Sequence, residues 1–224
     1  MKFKVITLII ILSGICNLAT GHNQVFKETF SNNKNKWKIY HNNDFNVEIH
    51  KGKLYLEKFV KNRIRNGCLW YAKRIKYFDT SKDFSITFYA KVIDWDDVIN
   101  CVDIQWGKIN DDRSKNRITN DSIYQMDISE NGIRMSYFNN RTGWTYYDWS
   151  YYLHFPGQQP FSTAFKRNKF NKYEIIQKNN SLTIKVNNKT VYLKTLDFLV
   201  KGSCIGFQQC LKSSWEIDKI IIKQ

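Results

Sequence analysis

Several kinds of residue are scarce in this chain of 224 residues, and each scarcity excludes a class of protein. Only 2 Pro and 10 Gly are present, which excludes collagen-like repeats and proline-rich linkers. Asp and Glu number 20 against 35 Lys and Arg, so the chain is not an acidic low-complexity protein. Aromatic residues are abundant, with 7 Trp, 13 Tyr and 15 Phe. They predict a substantial hydrophobic core, and the length fits one large β domain.

Long hydrophobic runs are also scarce, and the one at the N-terminus has the organisation of a secretory signal. Lys2 and Lys4 precede an apolar run from Val5 to Ile15, and the small residues Ala19-Thr20-Gly21 follow it. A basic start, a short apolar run and a small-residue cleavage site are typical of a signal peptide. Residues 1–21 are therefore predicted to be a signal peptide and 22–224 the mature domain, exported to the periplasm, cell surface or medium.

Two kinds of membrane anchor are disfavoured by the same segment. The apolar run has 11 residues, whereas a transmembrane helix needs about 20, so we expect no retained transmembrane anchor. Lipoprotein processing at Cys16 is also disfavoured, because the bulky Ile15 precedes it.

The net charge of +15 invites a nucleic-acid interpretation, since clustered Lys and Arg neutralise phosphates. The excess consists mainly of 27 Lys, accompanied by 23 Asn, and both residues have AT-rich codons. The densest basic stretches, 61–65 and 73–76, are short. We therefore interpret the charge as a solvated basic surface and expect no nucleic-acid partner.

Four cysteines remain after the predicted cleavage: Cys68, Cys101, Cys204 and Cys210. An exported chain meets an oxidising compartment, so the even number of cysteines permits two disulfides, and sequence cannot separate the three possible pairings. No Cys-x-x-Cys pair is present and the four His are scattered, which disfavours a zinc site. No cofactor is predicted, although a structural calcium ion stays open.

Short alternating segments rich in β-branched and aromatic residues predict strands along the whole mature chain. The predicted strands are Val25–Phe30, Phe45–Ile49, Lys53–Glu57, Phe84–Ile93, Val98–Trp106, Ile123–Ile128, Ile133–Phe138, Tyr173–Gln177, Leu182–Val186 and Trp215–Ile222. Hairpin turns are predicted at Lys51-Gly52, Asn131-Gly132, Asn179-Asn180 and Asn187-Asn188, because Asn and Gly tolerate positive φ. Asn110–Asn120 and Ser150–Asn168 are predicted loops. The fold class is thus all-β, with two antiparallel sheets in a sandwich.

The C-terminal quarter of the chain carries a resemblance to a known superfamily. Asn171–Leu193, Gly202–Gln208 and Trp215–Ile222 resemble the closing strands of concanavalin A-like lectin/glucanase domains, including laminin-G-like modules and secreted domains related to 3-keto-disaccharide hydrolases. The resemblance implies a jelly-roll sandwich whose concave sheet carries sugar-binding or catalytic residues. Fold alone does not carry that function over.

The resemblance does not extend to the catalytic signature of the glucanases. Their Glu-x-Asp-x-x-Glu motif is absent, and the nearest candidates, Asp103 and Asp127, are each a single carboxylate next to Gln. Retaining hydrolysis needs two carboxyl groups about 5–5.5 Å apart, which neither strand supplies alone. An enzyme is disfavoured, although Asp103 and Asp127 could face each other across neighbouring strands.

Strand parity predicts a polar face that could hold a ligand, because residues two apart lie on one side of a sheet. All four cysteines fall on this face if the strands share a sheet. Carboxylates and amides suit vicinal sugar hydroxyls, and aromatic rings stack on pyranose faces. The candidate ligand-binding residues are Trp70, Arg74, Asp103, Gln105, Gln125, Asp127, Trp144 and Gln208. The alternative is an ordinary solvated sheet face.

The segment Trp144–Tyr152 has six aromatic residues in nine, and it fits either a core and sheet edge or a stacking platform. The resulting hypothesis is an exported protein that binds carbohydrate or glycan on its concave sheet. The alternatives are a glycan-processing hydrolase using Asp103 or Asp127 and a structural or adhesion module. The oligomeric state stays open.

Overall fold

The computed structural model describes residues 23–59, 68–95, 101–109, 122–129, 132–149, 164–166, 168–210 and 212–224. Within them the secondary structure is entirely β. The strands are β1 (Gln24–Glu28), β2 (Tyr40–His41), β3 (Phe45–His50), β4 (Lys53–Lys58), β5 (Leu69–Arg74), β6 (Phe84–Trp95), β7 (Cys101–Lys108), β8 (Ser122–Ser129), β9 (Gly132–Asn139), β10 (Gly143–Trp149), β11 (Asn171–Lys178), β12 (Ser181–Val186), β13 (Lys189–Thr195), β14 (Cys204–Gln209) and β15 (Ser213–Lys223). No helix among these residues could cross a lipid bilayer.

The strands form two antiparallel sheets. The nine-stranded sheet has the order β13-β12-β11-β6-β15-β4-β3-β2, with β1 paired to β15, and the six-stranded sheet has the order β10-β9-β8-β7-β14-β5. The predicted all-β sandwich is confirmed. Each of the ten predicted strands corresponds to an observed one, whereas β2, β5, β10, β13 and β14 were not among those ten.

Two of the predicted hairpin turns have the expected backbone. Lys51 and Gly52 have φ of 49° and 72°, and Asn187 and Asn188 have φ of 49° and 69°. Positive φ at both central residues defines the type I′ turn, whose twist matches that of the strands it joins. These turns fix the β3–β4 and β12–β13 pairings. The predicted loops 110–120 and 150–168 lie largely outside the described residues.

The core fills the space between the two sheets. Alternate residues of each strand are apolar and buried there, as in Leu54 and Leu56 of β4 or Val102, Ile104 and Trp106 of β7. Burying such side chains stabilises the fold by roughly 1.5–3 kcal/mol each. The period of two therefore assigns the remaining residues of β7, β8, β9 and β14 to the opposite face of the six-stranded sheet.

A close backbone contact lies at one end of β7. A Cβ atom added at Gly202 would lie 1.9 Å from the carbonyl carbon of Gly107, which itself has a φ of 133°. Only glycine has no Cβ and also adopts such a φ readily. The two glycines thus let the segment before β14 pass directly against β7.

A buried carboxylate organises the segment after β1. Glu28 accepts hydrogen bonds from the amides of Thr29 (2.8 Å) and Phe30 (2.7 Å), from Asn35 Nδ2 (2.6 Å) and from Trp37 Nε1 (2.7 Å). Burial on its own raises the pKa of Glu28, but the four hydrogen bonds together lower it below its usual range. The carboxylate form is therefore the one that the fold stabilises.

We expect Glu28→Gln to lower the free energy of unfolding by roughly 1–3 kcal/mol at neutral pH. One oxygen of Glu28 accepts from both Asn35 and Trp37, and an amide NH₂ at that position would face two donors. Because the folded pKa is lowered, the wild-type advantage is present above the pKa of the unfolded carboxyl and declines as pH falls towards the folded pKa. Urea unfolding at several pH values measures this, with Glu48→Gln, at a partly exposed glutamate of β3, as the control. Equal stability of Glu28→Gln and wild type at neutral pH would contradict the prediction.

Candidate functional site

The polar residues predicted to share a face lie side by side on the six-stranded sheet, on the side away from the nine-stranded sheet. Strand register places Gln208 opposite Asp103, Asp103 opposite Asp127, and Asp127 opposite Arg134. One step along the strands, Gly206 lies opposite Gln105, Gln105 opposite Gln125, and Gln125 opposite Ser136. We call the seven side chains of these two rows the polar face: Gln208, Asp103, Asp127, Arg134, Gln105, Gln125 and Ser136.

Hydrogen bonds join most of the polar face into one network. Gln105 Nε2 donates to Gln125 Oε1 at 2.8 Å and lies 3.4 Å from Gln208 Oε1. Gln125 Nε2 donates to Asp127 Oδ1 at 2.7 Å. The Arg134 guanidinium donates to Asp127 Oδ2 and forms a salt bridge with it. Donors thus converge from two sides on the carboxylate of Asp127.

The electrostatics of Asp127 reflect its burial. Loss of solvent raises the pKa of Asp127 above its usual range, although the charge of Arg134 and hydrogen bonds from Gln125, Arg134 and Asp103 act in the opposite direction. Asp103, on the neighbouring strand, lies opposite Asp127 in the β7–β8 pair. The sequence-based expectation that these two aspartates could face each other agrees with the register.

The polar face is largely buried rather than an open surface. Asp103 and Gln208 are 5% exposed and Gln125 is 4% exposed, whereas Gln105 and Asp127 are 1% exposed. The Arg134 side chain is 17% exposed. A ligand would therefore reach Asp103, Gln125, Gln208 and Arg134 before the two most buried members.

Two features bound the polar face along the strand direction. At one end the Cys68–Cys210 disulfide joins the start of β5 to the end of β14. At the other end lies an apolar strip consisting of Ile109, Ile123 and Cys204, with Ala72 and Phe138 packed against it. The side chain of Ile109 reaches over Gly206, where an added Cβ would lie 3.1 Å from its Cδ1 atom.

The disulfide corrects part of the cysteine prediction. Cys68 and Cys210 are bonded, but Cys204 is a buried free thiol whose Sγ lies 3.6 Å from the carbonyl oxygen of Ile109. Its cross-strand neighbours are Arg74 and Gly107, so no cysteine is within reach across either adjacent strand. The side chain of Cys101 lies outside the described residues.

The remaining candidates lie at the edges of the sheet. Trp70 is in β5 opposite Gln208, and Trp144 is in β10 opposite Phe138, but both side chains lie outside the described residues. Arg74 is exposed at the margin of the sheet, at the β5 position that lies opposite Cys204 of β14. The side chains of Asp148 and of most of the aromatic segment that follows Trp144 also lie outside the described residues.

Sequence reasoning missed two members of the polar face, Arg134 and Ser136. The signal was present, because Ile133, Met135 and Tyr137 of β9 alternate with Arg134 and Ser136. The sequence could not show that β9 pairs with β8 in the sheet, and this pairing places Arg134 opposite Asp127.

No protein-family model matches the chain, and no curated protein matches it. Solved structures do match. A protein with a galectin-like fold from Bacillus subtilis aligns with a TM-score of 0.58 at 9% identity, over 91% of this chain and 97% of that one. The chain has a concanavalin A-like lectin/glucanase fold.

Two further structures with the concanavalin A-like fold carry names that refer to carbohydrates. The Bacillus licheniformis β-glucanase aligns with a TM-score of 0.51 at 11% identity, over 89% of this chain and 97% of that one. The carbohydrate recognition domain of Emp47p aligns with a TM-score of 0.52 at 13% identity, over 92% and 98%. At such identities the likeness establishes the fold alone.

We expect Arg134→Gln to destabilise the protein by roughly 2–5 kcal/mol at neutral pH, because it leaves the buried carboxylate of Asp127 without its cation. Arg134 lowers the pKa of Asp127, so this pKa rises further in the variant. The loss of stability is therefore complete at pH values above the pKa of Asp127 in the variant, and it becomes smaller as acid protonates Asp127.

Thermal and urea unfolding across a pH series would measure the effect. The matched control is Arg141→Gln, which removes an exposed arginine from the turn between β9 and β10. A pH-independent loss in Arg134→Gln, or a loss equal to that of the control, would contradict the prediction.

Proposed function

We propose that the protein is an exported carbohydrate-binding protein that holds a glycan on the outer face of its six-stranded sheet, which we take to be the concave one. The observation that carries the proposal is the polar face: carboxylates and amides from β7, β8 and β14, aligned in adjacent rows. Lectin and glycosidase domains among the similar structures support glycan binding in general terms.

The chemistry of the polar face suits a sugar. Amide side chains both donate and accept hydrogen bonds, and carboxylates accept two at once, which matches pairs of neighbouring hydroxyls. Asp103, Gln125 and Gln208 keep some exposure, so they are the members that we assign to direct contact. Gln105 and Asp127 hold these three in place through the network.

Aromatic residues complete the proposed site. Trp70 lies in the strand next to Gln208, and Trp144 lies in the strand next to β9. Indole rings stack on the apolar faces of pyranoses. We assign Trp70, Arg74 and Trp144 to the margins of the site, where stacking and further hydrogen bonds would orient the glycan.

Export is part of the proposal. The disulfide fits an extracellular protein, since such bonds persist in oxidising compartments. The basic, apolar and small-residue order of residues 2–21 supports a signal peptide, and those residues lie outside the part of the chain that the structure describes.

A glycan array probed with the mature protein tests the function. We expect Gln208→Ala to weaken binding of whichever glycan is recognised by roughly 2- to 10-fold, the effect of one lost hydrogen bond. Gln24→Ala, an exposed glutamine of β1 in the other sheet, should bind like wild type. Failure to bind any glycan would refute the proposal, and equal binding by Gln208→Ala and wild type would refute the assignment of the site.

A glycan-processing hydrolase is a second candidate, because two carboxyl groups face each other on neighbouring strands. Both carboxylate oxygens of Asp127 are engaged, by Gln125 and by Arg134, which does not suit the nucleophile or proton donor that a glycosidase needs. This is the reason that binding is preferred over hydrolysis.

Turnover assays on the array's binding glycans would distinguish the two candidates. If the protein is a hydrolase, reducing ends should accumulate with wild type and with the surface variant Asp218→Asn. They should not accumulate with Asp127→Asn. We expect no turnover by any of the three proteins.

A further inference from the structure

Two basic segments lie against each other at the edge of the six-stranded sheet that β5 forms. Residues 33–38 lie between β1 and β2, residues 73–77 include the end of β5, and neither segment contains Asp or Glu. The Lys73 ammonium donates to the carbonyl oxygens of Asn35 and Lys36, the latter at 3.2 Å. These hydrogen bonds hold the two segments side by side.

Buried aromatic rings anchor the contact between the segments. The rings of Trp37 and Tyr71 are stacked with their centroids 5.7 Å apart, and Lys73 Nζ lies 5.7 Å from the Trp37 ring. The Tyr71 hydroxyl donates to the carbonyl oxygen of Lys38 at 2.9 Å. The charges of both segments are therefore gathered on one edge by packing and cannot simply move apart.

Five exposed cations of the two segments form what we call the basic rim: Lys34, Lys36, Lys38, Arg74 and Lys76. Among the residues that the structure describes, no carboxylate forms a salt bridge with any of the five. Glu28 contacts the first segment through Asn35 and Trp37, but it is 2% exposed. Like charges gathered on one edge repel each other, and a bound anion relieves that repulsion.

An exposed aromatic ring accompanies the basic rim. Ile75 and Phe78 are 2% and 3% exposed, and they anchor the turn between them. The middle residues of this turn are Lys76 and Tyr77, and Tyr77 is 78% exposed. Tyr77 has a φ of 65°, a left-handed conformation that is unfavourable for a residue other than glycine. Because Lys76 Nζ lies 4.6 Å from the centroid of the Tyr77 ring, the turn presents a cation and an aromatic face together, which suits a sugar with an acidic substituent.

The basic rim lies beside the polar face. Trp70 of β5 is opposite Gln208 of the polar face, and Arg74 lies four residues farther along the same strand. At about 3.3 Å per residue these two positions are roughly 13 Å apart, a distance that a chain of a few sugar units spans. A glycan held on the polar face can therefore reach the basic rim.

We infer that the basic rim binds acidic groups of the glycan, so that the ligand is an anionic polysaccharide carrying sulfate or carboxylate groups. This inference rests on the proposed function: the hydroxyls of the glycan meet the polar face and its acidic groups meet the basic rim. Arginine binds such groups through two parallel hydrogen bonds, and lysines bind them as point charges. The carboxyl groups of the polar face suit hydroxyls but would repel a phosphate backbone, which favours a glycan over a nucleic acid.

Isothermal titration calorimetry of wild type with matched polysaccharides tests the ligand. The probes are soluble starch, a β-glucan and a galactan, each as the neutral parent, the sulfated form and the carboxymethylated form. We expect at least one anionic form to bind roughly tenfold or more tightly than its neutral parent at low salt. That advantage should decline between about 50 and 200 mM salt, because salt screens exposed charges. Comparison of the two anionic forms identifies the acidic group.

Two variants that each lose three positive charges test the location of the site. The rim variant combines Lys34→Gln, Lys38→Gln and Lys76→Gln. The control variant combines Lys178→Gln, Lys185→Gln and Lys223→Gln on the nine-stranded sheet. Since both variants have the same net charge, a general attraction of the basic protein for polyanions would weaken equally in both. We expect only the rim variant to bind the anionic form roughly tenfold or more weakly, with its unfolding temperature and its binding of the neutral parent close to those of wild type.

Each contrary outcome overturns a different claim. A neutral parent that binds as tightly as both anionic forms would overturn the anionic ligand and leave the proposed function in place. Equal losses in the rim and control variants would overturn the basic rim as the site. Duplex DNA that binds more tightly than every polysaccharide, and is lost in the rim variant, would overturn the glycan as the ligand of the basic rim. Binding of no polysaccharide, neutral or charged, would overturn the proposed function together with this inference.

Discussion

Both faces of the six-stranded sheet are buried, although only one of them packs against the nine-stranded sheet. The inner face of β7 meets the core through Ile104 and Trp106, whereas its outer face carries Asp103 and Gln105 with almost no exposure. Polar atoms that have lost water must bond to one another. This requirement explains why glutamine amides, the Asp127 carboxylate and the Arg134 guanidinium are linked across four strands. A slip of register by one residue would turn the carboxyls into the core.

Local patterns predicted most of the strands and the face on which their side chains lie. They could not predict which strands are neighbours, because β14 inserts between β5 and β7 from far along the chain. The Cys68–Cys210 bond depends on that insertion and spans 142 residues, so spacing alone left its pairing open and wrongly included Cys204. Arg134 was missed for the same reason: its alternation was visible, but its partner Asp127 is defined by sheet order. The edge strands β2 and β13 have little alternation of their own and depend on pairing with β3 and β12.

The polar face differs in arrangement from a glucanase motif carried on one strand. Its carboxyl groups come from two neighbouring strands, and one of them forms a salt bridge with an arginine. The same kind of sandwich can thus carry its carboxyl groups on one strand or on two, and the difference follows from a few side chains rather than from the fold.

The disulfide determines how a proteolytic cut in the chain would be detected. It encloses every residue between β5 and β14 in one covalent loop, and strands from both ends of that loop are paired into sheets with the rest of the molecule. A protease that cut once within the loop would leave the two fragments joined by the sulfur bridge and by strand pairing. The cut protein would therefore migrate as a single chain on a denaturing gel until a reductant was added.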